Sequence, residues 1–212
     1  MKTADLVRVL AEDAGPVRPQ PFGPRLVAAA AAGAAVSAAL LVLWLGFRPL
    51  AEAAATRSFW MKAGYTLILA ACGLVATLRL GRPGGRLGLA LWVAAVAVAM
   101  LGMMAGHETM NAPPARIPAI WLGGSWNVCP FRILVLAGPV FVVVLWAMRR
   151  MAPTRLAFAG AAAGLLAGAV GATVYGLYCK ETTAAFVVLW YTLGIAACGV
   201  VGALIGPRVL RW

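Results

Sequence analysis

The sequence predicts an all-α membrane protein, a polytopic bundle of six transmembrane helices with both termini in the cytoplasm. Of the 212 residues, 63% are hydrophobic and 11% are charged, and the mean hydropathy is +0.91. A soluble domain of this length needs about 25% charged residues to cover its surface. The apolar residues form continuous runs and do not alternate with polar ones, which excludes the strands of a membrane β-barrel.

Six apolar runs have about the 20 residues that a helix needs to cross a hydrocarbon core of about 30 Å. They cover approximately residues 26–47, 59–78, 87–106, 130–148, 156–179 and 184–207. These runs predict a cytoplasmic segment at 1–24, a transmembrane domain at 25–207 and a tail at 208–212. Near one end of the second run, the long side chain of Lys62 is expected to reach the membrane interface. The Gly138-Pro139 pair is expected to kink the fourth run.

The distribution of the basic residues orients the bundle. With the N-terminus inside, twelve of the eighteen Lys and Arg residues face the cytoplasm and six face outside. This bias favours cytoplasmic termini. The net charge of +12 would suggest nucleic-acid binding in a soluble protein, but here it is a topology signal, and no direct nucleic-acid contact is expected. A cleaved signal peptide is not expected either, because the first apolar run is too long.

The N-terminal segment contains one short amphipathic helix, predicted at Thr3–Ala14. Asp5 suits its first turn, and Leu6, Val9 and Leu10 fall on one face of it. A helix of about three turns is marginal in water on its own. We therefore expect it to order on lipid or on a protein partner, with the apolar face as the docking surface.

Small residues recur every four positions in the last two runs. The rows are Gly160, Gly164 and Gly168 in the fifth run, and Gly194, Cys198, Gly202 and Gly206 in the sixth. Such rows let helices approach closely in lipid, and they predict the seam of the bundle or of a homodimer. Cys198, and Cys72 in the second run, are interpreted as small packing residues.

Cys129 and Cys179 differ from the other two cysteines because each lies at the end of a run. An antiparallel hairpin brings both to the outer face, where disulfides persist in a periplasm. Cys129 lies at a helix N-terminus with Arg132 one turn away, and both features favour the thiolate. The hypothesis is a reactive Cys129 with Cys179 as its partner. Two unpaired cysteines or a structural disulfide stay open as alternatives.

Ligand types for a soft metal ion lie on the same face as these cysteines. His107, Glu108 and Glu181 are auxiliary candidates for a transient heavy-metal ion at Cys129 and Cys179, and no constitutive cofactor is expected. Met100 and Met104 share a helical stripe with His107. Packing is the preferred interpretation of the methionines, and His107 is expected in a loop.

Three segments resemble the NrsF-type negative regulators of sigma F. They are the opening Met1–Val7 with the Asp13–Pro19 stretch after it, the Gly124–Cys129 approach to the fourth run, and the Tyr175–Glu181 hairpin that leads to Trp190-Tyr191. The resemblance implies a non-enzymatic, six-span anti-sigma factor of the bacterial inner membrane. It also implies that the N-terminal segment holds an extracytoplasmic-function sigma factor, which is released when Cys129 and Cys179 sense heavy-metal or oxidative stress.

Other function classes remain as alternatives. A small transporter or a metal-binding membrane protein is one, although transport usually needs polar residues inside the spans. The six runs carry few: Ser37, Thr66, Thr77 and Thr173. A membrane thiol oxidoreductase is a second alternative, but neither a close cysteine pair nor a quinone site is evident. A membrane scaffold is the third.

Overall fold

The computed structural model describes residues 3–13, 22–46 and 49–211. Six of its helices are long and apolar enough to cross a membrane, which confirms the predicted all-helical class and the number of long apolar runs. The helices are α1 (Thr3–Asp13), α2 (Phe22–Leu45), α3 (Leu50–Ala54), α4 (Arg57–Leu80), α5 (Leu89–Met110), α6 (Ile117–Leu122), α7 (Cys129–Met148), α8 (Leu156–Gly176) and α9 (Ala184–Val209). The last contains a π-helical turn at Val187–Tyr191.

Several helix ends differ from the sequence-based boundaries. α5 continues to Met110, so His107 is helical, and its expected loop position is wrong. The reason is that polar side chains do not end a helix when they find partners, as Glu108 does. α8 ends at Gly176, which leaves Cys179 in the following connection, where its amide donates to the Tyr175 carbonyl at 3.0 Å.

The helix α8 lies at the centre of the bundle because it is built of glycine and alanine. In its most apolar stretch 67% of residues are buried, against 17% in α5. α8 packs against α4, α7 and α9, whereas α2 packs mainly on α7. Small side chains let these neighbours approach the α8 backbone closely, as expected for helix packing in lipid.

Contacts between helix termini define two ends of the bundle. The cysteine end comprises Cys129, Cys179 and the connections at 111–128 and 177–183. The arginine end carries Arg25, Arg79, Arg82, Arg86, Arg149, Arg150, Arg155, Arg208 and Arg211. At that end the Arg149 Nε donates to the Val209 carbonyl at 3.2 Å, which joins the ends of α7 and α9.

Hydroxyl groups within the long helices join neighbouring helices. Ser37 Oγ donates to the Leu136 carbonyl of α7 at 2.6 Å, and Thr173 Oγ1 donates to Thr66 Oγ1 at 2.9 Å. Both bonds satisfy polar groups inside apolar helices. They join α2 to α7 and α8 to α4.

Candidate functional site

Cys129 and Cys179 lie in one buried apolar cluster at the cysteine end. Their exposed fractions are 0% and 2%, and both are free thiols. The cluster also contains Tyr175, Phe186 and Tyr191, and we call these five side chains the cysteine pocket. The two thiols therefore come from different parts of the chain but share surroundings that water does not reach.

Burial opposes the predicted reactivity of Cys129. Cys129 is the first residue of α7, with Pro130 in the first turn, as the sequence predicts. However, an apolar environment favours the neutral thiol and opposes the helix-terminus effect. The Arg132 guanidinium, expected to favour the thiolate, lies over the Tyr178 ring at 5.6 Å from its centroid. Reaction at Cys129 therefore requires the pocket to open, or a reagent that enters apolar surroundings.

Two tyrosines complete the wall of the pocket. The rings of Tyr175 and Tyr191 have their centroids 5.8 Å apart, and both side chains are fully buried. The Tyr191 hydroxyl lies near Cys179 and the Tyr175 hydroxyl lies near Arg132, yet among the described residues neither hydroxyl has a hydrogen-bond partner of ordinary length and angle. Buried hydroxyls in this condition are rare. The sequence offered a signal for them, since a tyrosine inside an apolar run usually needs a polar partner.

Lys62 fastens the connection that carries Cys179. Its ammonium group donates to the carbonyl oxygens of Cys179 and Glu181, each at 2.8 Å, and only 2% of the residue is exposed. The ammonium group thus ends in the 177–183 connection at the cysteine end, and its expected reach to the membrane interface stays a prediction. The 177–183 connection offers two backbone acceptors, and these draw the charged group inward. Sequence reasoning missed this role because the partners lie more than a hundred residues away.

Glu181 joins the 177–183 connection to the segment before α7. Its Oε1 accepts from the Gly124 amide at 2.8 Å and from Ser125 Oγ at 3.0 Å. Gly123 has a φ of +57°, and a Cβ there would lie 2.6 Å from Glu181 Oε2. The backbone conformation therefore requires glycine at position 123, and a side chain there would also displace Glu181.

Glu108 and Thr183 hold the start of α9. Glu108 Oε2 accepts from the Ala184 amide at 2.8 Å, so a carboxylate lies at the positive end of the helix. Thr183 Oγ1 donates to the Ile120 carbonyl of α6 at 2.8 Å. The cysteine end is thus closed by a few directed bonds between segments distant in sequence.

The auxiliary metal ligands predicted from the sequence do not assemble. Glu181 lies near Cys129 and Cys179, but Glu108 caps α9 and His107 is exposed on α5. Within the described ranges, no three His, Cys, Asp or Glu side chains come together as a metal site. Met100 is 58% exposed, so the methionine stripe faces outward.

The glycine rows lie between α8 and α9. A Cβ on Gly160 would collide with the Gly202 carbonyl oxygen, and one on Gly164 with the Cys198 carbonyl oxygen. A Cβ on Gly168 would lie 2.9 Å from the Cys198 Cβ. The remaining members divide: Gly206 faces Gly160, whereas Gly194 faces Ile133 of α7. We call the α8–α9 contact the glycine seam. Its two rows cover each other within one chain, so a homodimer would need another surface.

The predicted docking residues lie on α1, which runs from Thr3 to Asp13 and so matches the predicted helix closely. Asp5 is exposed, and 57% of Val9 is exposed. The side chains of Leu6 and Leu10 lie outside the described part of the chain. Their role in docking stays a prediction.

Comparisons with known proteins agree with the resemblance seen in the sequence. The profile of the family described as "NrsF: Negative regulator of sigma F" matches residues 10–212. The chain is 44% identical to the anti-sigma-F factor NrsF of Caulobacter vibrioides and 42% identical to the probable anti-sigma-F factor NrsF of Azospira oryzae. Both alignments cover 100% of each chain. No solved structure matches the chain.

Proposed function

The chain belongs to the NrsF family of negative regulators of sigma F, and we propose that it is a membrane-embedded anti-sigma factor controlled by the cysteine pocket. Its family role is regulatory and not catalytic. In this proposal it holds an extracytoplasmic-function sigma factor at the cytoplasmic face and releases it when Cys129 and Cys179 react. The observation that carries the proposal is the burial of two thiols from separate segments in one pocket.

We place the protein in the bacterial inner membrane with the arginine end in the cytoplasm. Six apolar helices support the insertion. The positive-inside rule supports the orientation, because twelve of eighteen basic residues fall on one side. The cysteine pocket then faces the periplasm, where thiol oxidation can persist.

The sigma factor is proposed to bind α1. This helix follows the arrangement of an amphipathic docking peptide, with apolar residues on one face and Asp5 and Glu12 elsewhere. Val9, on the predicted docking face, is 57% exposed. A partner that covers it would remove apolar surface from water, which favours association.

Two stimuli can act on the pocket. A soft divalent cation bound by both sulfurs displaces two thiol protons. An oxidant instead accepts two electrons and two protons as the sulfurs of Cys129 and Cys179 form one disulfide bond. Either product pulls Cys179 toward α7. The Cys179 carbonyl accepts a hydrogen bond from Lys62. That shift therefore weakens the hydrogen bond that holds the 177–183 connection between α8 and α9.

The docking step is tested by retention of the sigma factor on the full-length protein in detergent or nanodiscs. We expect Leu6→Ala with Leu10→Ala to weaken retention by about tenfold or more, because two apolar anchors are lost. Val7→Ala is the matched control, since it removes methyl groups from another face of α1. Full retention by the double variant would contradict docking through this face, and no retention by the unsubstituted protein would end the anti-sigma assignment for this partner.

The sensing step is tested by sigma-dependent transcription in cells exposed to cadmium or chromate. Cys129→Ser and Cys179→Ser should each insert normally and keep transcription low under stress. The matched controls are Cys72→Ser and Cys198→Ser, which remove thiols outside the pocket. Full induction in both pocket variants would remove the sensor role.

A further inference from the structure

We propose that the arginine end carries a binding site for an anionic phospholipid of the cytoplasmic leaflet. The phosphate-bearing headgroup lies among Arg82, Arg86 and Arg155, and one acyl chain lies in the groove between α4, α5 and α9. The site depends on the proposed membrane insertion but not on sigma-factor binding, so either proposal can fail alone.

The headgroup site is a cavity of about 200 Å³ between two loops. Arg82 and Arg86 come from the 81–88 loop, and Thr154 and Arg155 come from the 149–155 loop, with Leu80 as the floor. Three guanidinium groups and a hydroxyl provide many hydrogen-bond donors. Guanidinium groups bind phosphate oxygens in a bidentate manner, which makes arginine well suited to this ligand.

The charge of this region favours an anion. The stretches 79–88, 149–155 and 207–212 contain eight arginines and no Asp or Glu. Like charges brought together by the fold repel each other, and an anion bound among them relieves that repulsion. Basic pockets between helices at the cytoplasmic side of a membrane are the usual headgroup sites of anionic lipids.

The acyl-chain site is an apolar cavity of about 210 Å³, and Arg86 and Leu87, which line the headgroup cavity and the apolar cavity respectively, connect the two along the chain. Leu87 lines it and directly follows Arg86, and the cavity then passes Ala76, Ala94 and Val98. The ten residues of α5 from Leu89 to Val98 correspond to about 15 Å of helix. That length is close to one leaflet of a core about 30 Å thick.

The groove suits an acyl chain better than a peptide. It runs along α5, the least buried of the six long helices, at the depth of the hydrocarbon core. A peptide backbone there would leave its amide and carbonyl groups without partners, at a cost of several kcal/mol each, whereas an acyl chain has no such groups. The apolar lining of the groove and its depth in the hydrocarbon core therefore favour a lipid.

Native mass spectrometry of the full chain in mild detergent tests the headgroup site. Phosphatidylglycerol should bind about tenfold or more tightly than phosphatidylcholine with the same acyl chains. The triple variant R82Q/R86Q/R155Q should lose most of that preference, because it removes the three guanidinium groups that line the headgroup cavity. The matched control R149Q/R208Q/R211Q removes the same charge at the same end and should keep it.

A second variant tests the acyl-chain site without changing charge. Ala94→Phe fills the groove and should weaken phosphatidylglycerol binding several-fold. Inorganic phosphate, used as a competitor, should displace the lipid only weakly because it lacks the acyl-chain contacts.

Several results would overturn the proposal. They are equal binding of the two lipids by the unsubstituted chain, equal losses in the two triple variants, and lipid binding unaffected by Ala94→Phe. Phosphate that competes as strongly as phosphatidylglycerol would also overturn the assignment to lipid. The comparison of the two lipids uses the unsubstituted chain, so it decides the question even if a variant fails to fold.

Discussion

The cysteine end and the glycine seam join α8 to α9 by opposite means. At the glycine seam, backbones approach so closely that a Cβ on Gly164 would collide with the Cys198 carbonyl oxygen. At the cysteine end, Lys62, Glu108 and Glu181 reach across to backbone atoms of the connection and of neighbouring segments. Closely packed backbones cannot shift by small steps without steric clashes, whereas the hydrogen bonds of the cysteine end can break one at a time. We therefore expect the cysteine end to rearrange more easily than the glycine seam.

The largest effect is expected at the glycine seam. Gly164→Ala should lower the free energy of unfolding by about 3 kcal/mol, because the added methyl group forces α8 and α9 apart. Gly102→Ala is the matched control, since a Cβ at this helical position of α5 meets nothing within 4 Å. Unfolding in a denaturing detergent measures both. Equal stabilities of the Gly164→Ala and Gly102→Ala variants would show that close backbone packing does not hold the glycine seam together.

The second-largest effect on stability is expected for a substitution of Lys62. Lys62→Met keeps most of the side-chain volume but leaves the Cys179 and Glu181 carbonyls without their donor, at a cost of about 2 kcal/mol. It should also speed labelling of Cys179 by a membrane-permeant maleimide. Lys180→Met is the control, because Lys180 is exposed in the same connection. Unchanged labelling in Lys62→Met would mean that the connection is held by other contacts.

Glu181→Gln should have a smaller effect. The amide oxygen can still accept from Gly124 and Ser125, so the loss is that of the charge, about 1 kcal/mol. The control is Glu52→Gln on the exposed surface of α3. Comparing the labelling rate of Cys179 with the free energy of unfolding distinguishes local opening of the cysteine pocket from a global loss of stability. A decrease in stability without faster labelling would contradict a role in closing the pocket.

The smallest effect is expected for Glu108→Gln. A neutral amide still caps the Ala184 amide but loses the interaction with the helix dipole, which contributes about 0.5 kcal/mol. The loss should shrink as salt is added if the side chain is reached by solvent. The rate of hydrogen exchange at the first turn of α9 measures this loss. Exchange as slow as in the unsubstituted protein would show that the charge of Glu108 does not stabilise the helix.

The six long helices could be predicted because continuous apolar runs have one structural outcome in lipid. The helix ends could not, since they depend on partners. Glu108 is helical because it binds α9, and no local pattern indicates this. The two cysteines could be singled out from their positions at the ends of runs. Their burial could not, because Tyr191 and Phe186, which cover them, come from the sixth run.

Lys62 shows most clearly where sequence reasoning ends. Near the end of an apolar run, a lysine can extend to water or turn inward, and its length permits both. The choice depends on two carbonyl oxygens in the 177–183 connection. Such long-range pairing follows from the tertiary arrangement of α4 and α8, which the periodicity of either helix does not determine.

The proposed control of sigma-factor retention by the cysteine pocket is tested most directly in proteoliposomes. The quantity measured is the fraction of sigma factor that stays bound after cadmium or a thiol oxidant is added on the cysteine side. We expect release from the unsubstituted protein and from the Cys72→Ser/Cys198→Ser variant, and retention by Cys129→Ser/Cys179→Ser. Retention by all three, or equal release from all three, would contradict it.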